Sequence, residues 1–157
     1  MSKYVTYGLG KFDKSKLEIN LNTIPFINKP MLAFWGSPID AEFGWKEWRE
    51  CNDYCNIDKY FAPENTIIWK LEDDCKILDI NSVEDLSIFY TKGCIREQRK
   101  MSYEFDFKKI LDDGYSAIEL HDGYIGHRFL DNLEIMMNSW DCESIVVLDP
   151  DKIKIIE

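Results

Sequence analysis

Two stretches near the end of the chain decide how the rest is read: Y-S-A-I-E-L-H-D-G-Y-I-G-H-R (residues 115–128) and S-W-D-C-E-S-I-V-V-L-D-P-D-K-I-K-I-I (residues 139–156). The first predicts a strand over Tyr115–Leu120 followed by a glycine-punctuated loop flanked by His121 and His127. The second predicts a central strand over Glu143–Leu148, a turn at D-P-D and a closing strand over Lys152–Ile156. If the central strand begins by Asp141, side-chain alternation places Asp141 and Glu143 on one face with Ile145 and Val147. Cys142, Ser144, Val146 and Leu148 then share the other. Apolar residues on both faces predict a strand covered on both sides.

Between the two stretches, Phe129, Leu133, Met136 and Trp140 fall at helical spacing. Upstream, Phe105–Leu111 predicts a helix with Gly114 beyond its end, and polar Gly93–Ser102 a loop. Ser82-Val-Glu-Asp85 opens a helix that runs to about Tyr90. Thr66–Leu71 and Lys76–Ile80 are predicted strands.

In the N-terminal third, Tyr4–Tyr7 and the alternating Leu17–Leu21 predict strands, and Pro25 and Pro30 bracket a loop. Met31–Trp35 is a continuous apolar run, short enough for a buried strand. Ser37, Pro38 and Asp40 have the composition of a helix start. The expected helix reaches about Cys55 and packs Trp45 and Trp48 inward, with stacking on a substrate as the alternative. The expected whole is a single α+β domain over residues 1–157, with about seven strands and three or four helices.

The chain has 157 residues, 45% of them hydrophobic and 14% aromatic, enough for a core. Its formal net charge of −10 repels phosphate backbones, so non-specific nucleic-acid binding is not expected. No apolar run approaches a membrane span and no secretory leader is legible, so no membrane partner and a cytoplasmic location are expected. Five cysteines, at 51, 55, 75, 94 and 142, form neither an even framework nor a four-ligand zinc set, and no metal is expected. The sequence has no phosphate-binding glycine loop and no nucleophile elbow.

The ending S-I-V-V-L-D-P-D-K-I-K-I-I (144–156) resembles the last strands of ADP-ribosyltransferase-like domains of bacteria and phages. I-I-W-K-L (67–71), K-I-L-D-I-N-S-V-E-D-L (76–86) and D-G-Y-S-A-I-E (113–119) follow the same pattern, and P-M-L-A-F-W-G-S-P (30–38) resembles that family's second conserved strand. The resemblance implies a split β-sandwich of two small, mostly antiparallel sheets with NAD bent in a cleft between them. It also implies cleavage of the nicotinamide–ribose bond and transfer of ADP-ribose to a protein or nucleic acid. The first-strand Arg or His of the family falls on Thr6 or Tyr7 here, and the second-strand serine on Ser37. The family glutamate falls in the region of Asp141, Glu143 and Ser144, without an E-x-E or Q-x-E pair.

Such chemistry develops positive charge on the ribose as nicotinamide departs, and a nearby carboxylate stabilises it. Glu143 is the first candidate and Asp141 the second. His121 is a candidate for proton transfer, with Glu119 two residues before it on the same side. Tyr7, Trp35, Ser37, Glu119 and Ser144 are the candidate NAD contacts. Two other functions remain open. One is a non-catalytic acidic protein that engages a basic partner surface. The other is a small hydrolase or nuclease using Glu119, His121 and His127.

Overall fold

The computed structural model describes residues 2–8, 10–24, 27–52, 61–99, 102–123, 125, 136–137 and 139–156. Cys55, His127 and most of the helix expected around 129–140 lie outside them. The strands are β1 (Tyr4–Tyr7), β2 (Asn20–Ile24), β3 (Lys29–Leu32), β4 (Phe34–Pro38), β5 (Thr66–Leu71), β6 (Lys76–Ile80), β7 (Ile95–Arg99), β8 (Ser102–Phe105), β9 (Tyr115–Leu120), β10 (Ser144–Val147) and β11 (Ile153–Ile155). Among the described residues three helices join them: α1 (Trp45–Cys51), α2 (Val83–Thr91) and α3 (Phe107–Asp112). The α+β class is as expected.

Seven strands form one sheet in the order β11-β5-β1-β4-β10-β9-β6, and β2-β3 and β7-β8 form separate two-stranded ribbons. All neighbours in the large sheet are antiparallel except β6 and β9. The division into two sheets expected from the resemblance takes a different form. Phe34, Trp35 and Gly36 pair with β10, while Ser37 and Pro38 pair with β1. The sheet therefore consists of two four-stranded sections that share β4, rather than two separate sheets facing each other.

The handover at β4 depends on Gly36. A Cβ there would stand 2.7 Å from the buried Trp69 ring and 3.1 Å from the Val5 carbonyl oxygen. Trp69 cannot swing aside cheaply, because its indole donates to Thr6 Oγ1 at 2.9 Å and Thr6 Oγ1 donates to the Trp35 carbonyl at 2.6 Å.

Both faces of the sheet carry a core. Leu78, Ile80, Ile118, Leu120 and Val146 pack against α2, α3, Phe105 and Trp140 on one side. Tyr4, Phe34, Trp69, Ala117, Ile145 and Val147 pack on the other. The double coverage expected of the central strand is thus observed: Val146 and Ile145 belong to opposite cores.

Several local expectations are corrected. The strand expected at Leu17–Leu21 lies at Asn20–Ile24, after a single helical turn at Lys14–Lys16. The apolar run Met31–Trp35 is broken at Ala33 between β3 and β4, and Met31 and Leu32 are about half exposed (53% and 47%). The polar segment expected as a loop at 93–102 contains β7, which pairs with β8. Arg96 there donates to Glu104 Oε1 at 2.7 Å and pairs with Asp106. α1 starts at Trp45, not after Ser37, and none of its residues is fully buried. The helix start read at Ser82 is real, and the helix expected over Phe105–Leu111 begins at Phe107 with Asp106 as its cap. Asp85 Oδ2 accepts from the Asn81 and Ser82 amides, and Asp106 Oδ1 accepts from the Lys109 amide. Gly114, with φ +91°, ends α3 as expected.

Asn28 ties the β2–β3 ribbon to the rest. Its φ of +51° makes the turn between the strands. Its buried side chain donates to the carbonyls of Tyr103 and Met136 and accepts from the Phe105 amide. Its own carbonyl accepts the Trp140 indole N–H at 2.9 Å. Nothing in the local sequence points to this residue, because all its partners are at least 75 positions away.

Candidate functional site

Ser37 and Glu143, remote in the chain, are in contact. Ser37 Oγ donates to the Glu143 carbonyl at 2.6 Å and accepts from the Trp45 amide at 3.2 Å. The serine does cap α1, eight residues before the helix begins. Glu143 has two further links to the segment before α1, both to Phe43, and a close approach to Gly123. Its amide donates to the Phe43 carbonyl at 3.0 Å, its Oε2 accepts from the Phe43 amide at 2.7 Å, and its Cγ and amide close over Gly123. β10 begins at Ser144, so the segment from Trp140 to Glu143 is irregular and the expected alternation of Asp141 and Glu143 does not operate there.

Beside this contact lies a hollow of about 290 Å³ lined by four tryptophans, Trp35, Trp45, Trp48 and Trp140, together with Lys29 and Asp141. Cys142 and Ser144 complete that wall. Trp35 and Trp140 meet edge to face at 5.1 Å. Asp141 and Ser144 are therefore on the hollow, while Glu143, the first candidate acid, is turned toward Phe43 and spent on holding the turn before α1. Lys29 stands 5.6 Å from the centroid of Trp35. Burial pushes its ammonium below the ordinary lysine range, opposed by the Asp141 carboxylate. Burial pushes the Cys142 thiol up to about 12, which disfavours the thiolate form.

A second hollow, about 490 Å³, shares Trp35 and Trp45 with the first. It opens where β1 and β4 part company. Thr6, Tyr7, Ala33 and Phe34 line it together with Lys11, Asp13 and Lys16. The Thr6 hydroxyl is committed to Trp35 and Trp69, which leaves Tyr7 as the first-strand polar group facing this space. The Tyr7 ring stands edge-on to Phe61 at 4.6 Å.

Glu119 and His121 are elsewhere. Glu119 pairs with Ile145, on the face of the second core, whereas Trp35 pairs with Val146, on the face of the first. Alternation thus puts the histidine and its glutamate on the opposite side of the sheet from the tryptophan hollow. They do project together: His121 Nδ1 lies 3.8 Å from Glu119 Oε1. Asp79, which the sequence reading did not single out, completes the group at 2.8 Å from His121 Nε2. Tyr4 donates to Glu119 Oε2 at 2.7 Å.

No protein-family model matches the chain, and no curated protein and no solved structure matches it. Among the described residues, no helix is long and apolar enough to cross a membrane.

Proposed function

We propose that the chain binds NAD along the two adjoining hollows and cleaves its nicotinamide–ribose bond, passing ADP-ribose to a macromolecular acceptor. The observation that carries this reading is the Ser37–Glu143 contact, which brings the two stretches that resemble ADP-ribosyltransferase-like domains to one place beside a tryptophan-lined hollow. The ring of oxidised nicotinamide is a flat cation, and indole faces attract such a group while excluding water. The adjoining hollow is lined by Lys11 and by Lys16, the latter paired with Asp13 at 3.4 Å, a net positive lining on an acidic protein and suited to a pyrophosphate. Each hollow is on the scale of small-molecule sites, roughly 300–1,000 Å³.

In this reading Asp141 is the working carboxylate. The ribose C1′–nitrogen bond breaks with its electron pair going to the ring nitrogen, and nicotinamide leaves neutral. Positive charge grows on the ribose, and Asp141 stabilises it across the hollow. A lone pair of the acceptor forms the new bond at C1′, and its proton passes to a carboxylate or to water. Glu143 positions the site through Phe43, and Ser37 holds α1 with its tryptophans against β4 and β10.

The test is release of free nicotinamide from NAD, followed chromatographically, in the wild type and in Asp141→Asn. Release that falls by about a hundredfold or more in the variant supports the assignment. Equal release in both removes Asp141 from the chemistry, and no release by the wild type removes the enzymatic reading in favour of the acidic binding protein.

A further inference from the structure

The cluster on the opposite face of the sheet has no part in the nucleotide reading, and it has a chemistry of its own. We propose that Asp79, Glu119 and His121 form a site for a divalent transition-metal cation of the zinc type. One ligand atom from each residue lies within 4.8 Å of the others. An ion bonded at about 2.0–2.2 Å to nitrogen and oxygen holds its ligands roughly 3.5 Å apart in a tetrahedral site. Closing the remaining distance needs only side-chain rotation of Asp79 and His121, which are 49% and 37% exposed.

The backbone holds the three in place. β6 and β9 run parallel, with Asp79 directly beside Glu119, and the His121 amide donates to the Ile80 carbonyl at 2.9 Å. The ends of two parallel strands thus deliver three ligands to one point. Glu119 is the fixed member. Its side chain is 4% exposed, yet it borders the hollow of about 300 Å³ that opens over the cluster. Oε2 accepts the Tyr4 hydroxyl, whereas Oε1 faces the hollow 3.8 Å from His121 Nδ1, beyond hydrogen-bond reach. Among the described residues Oε1 takes no hydrogen bond. A mostly buried carboxylate whose second oxygen borders a cavity and takes no hydrogen bond among the described residues offers that oxygen to a cation. Tyr4 orients the other oxygen in the manner of an outer-shell partner.

Glu72 and Asp73 line the same hollow, and both already face lysines, Lys152 at 3.4 Å and Lys70 at 3.6 Å. Asp79 and Glu119 share a single imidazole. Two carboxylates and one imidazole select zinc or manganese over magnesium, which prefers an all-oxygen shell. Three protein ligands leave a position for water.

The test uses chelator-treated full-length protein titrated calorimetrically with zinc chloride, with magnesium chloride as the control. The expected result is one zinc site per chain and no heat with magnesium. The zinc site weakens by at least about tenfold in His121→Ala and in Asp79→Asn. Both residues are partly exposed, so both variants should keep the wild-type circular dichroism spectrum. Zinc should raise the melting temperature of the wild type and not that of His121→Ala. No one-site zinc binding overturns the proposal, as does binding left intact by His121→Ala, which would assign the zinc to other ligands. The cluster would then be an ion-pair network only.

Discussion

The Ser37 hydroxyl donates to the carbonyl of Glu143 at 2.6 Å while accepting the amide of Trp45 at 3.2 Å. One buried side chain thereby joins three elements: β4, where the serine sits, the segment entering β10, and the first residue of α1. The tryptophan hollow lies between those three. Removing the hydroxyl takes its partner from a part-buried carbonyl and from a helix amide together. Ser37→Ala is therefore expected to destabilise the protein by about 1–3 kcal/mol and to change the fluorescence of the native state. Urea unfolding measures both, and an unchanged midpoint with an unchanged spectrum would show that α1 is held by other means.

Gly36 and Gly114 should both resist alanine, for different reasons. At Gly36 the added methyl meets Trp69 and the Val5 carbonyl, an overpacking expected to cost about 1–3 kcal/mol and to loosen the join between β1 and β4. At Gly114 there is open space but φ is +91°, so the cost is backbone strain of about 1 kcal/mol with native spectra preserved. Thermal melts of the two variants separate the cases. Near-ultraviolet circular dichroism should change for Gly36→Ala and not for Gly114→Ala.

Asn28→Ala removes both donors and the acceptor that join the β2–β3 ribbon to β8 and to Met136, and places alanine at φ +51°. A loss of about 3 kcal/mol or more is expected. Because the same residue's carbonyl holds the Trp140 indole, indole emission should shift along with stability. A loss below about 1 kcal/mol would mean that the ribbon is not tied to the core through this residue.

Lys29 reports on the solvation of the tryptophan hollow. Its depressed folded-state value lies below the unfolded one, so the unfolded chain binds the extra proton between the two. This contribution to stability is therefore least favourable below that window and improves as pH rises through it, toward the ordinary lysine value of about 10.4. Lys29→Met, which removes the charge and keeps the length, is expected to stabilise the fold near neutral pH, with the gain shrinking as the pH approaches 10. Urea midpoints across that range measure it, and a gain independent of pH contradicts the assignment.

Thiol chemistry should be site-selective. Cys142, buried and pushed up to about 12, is expected to resist iodoacetamide in the native state at mildly alkaline pH, while exposed Cys51 reacts. Peptide mass spectrometry after timed alkylation distinguishes them.

Much of this architecture is written locally. Thr66–Leu71, Lys76–Ile80 and Tyr115–Leu120 are strands over the residues their apolar pattern indicates, because each is buried by side chains that its own sequence supplies. The helices after Ser82 and Asp106 announce themselves through capping side chains that act within four residues. What escaped local reading depends on partners far away. β7 is polar in sequence and becomes a strand because Arg96 and the backbone of β8 complete it. Ser37 carries a capping signal, but the helix it caps begins eight residues later, since β4 needs Ser37 and Pro38 as strand partners for β1. Ser144 reaches Trp35 through the pairing of β10 with β4, and Asp141 joins them from the irregular segment before β10. The choice of Asp141 over Glu143 for the hollow follows from the Phe43 amide, which no pattern in the sequence places beside residue 143. Asp79 joins His121 across 42 residues because β6 and β9 are parallel, a relation that needs the intervening α2, β7, β8 and α3 to be known first.

The central claim is that the tryptophan-lined hollow and its neighbour hold NAD. Calorimetric titration of the protein with NAD tests it most directly, with Trp48→Ala as the matched variant, since Trp48 lines the hollow from α1 without entering the core. One site per chain is expected, weakened by about tenfold or more in the variant as a stacking face is lost. Absence of heat with NAD at protein and ligand concentrations in the high micromolar range, or equal binding by Trp48→Ala, would contradict it.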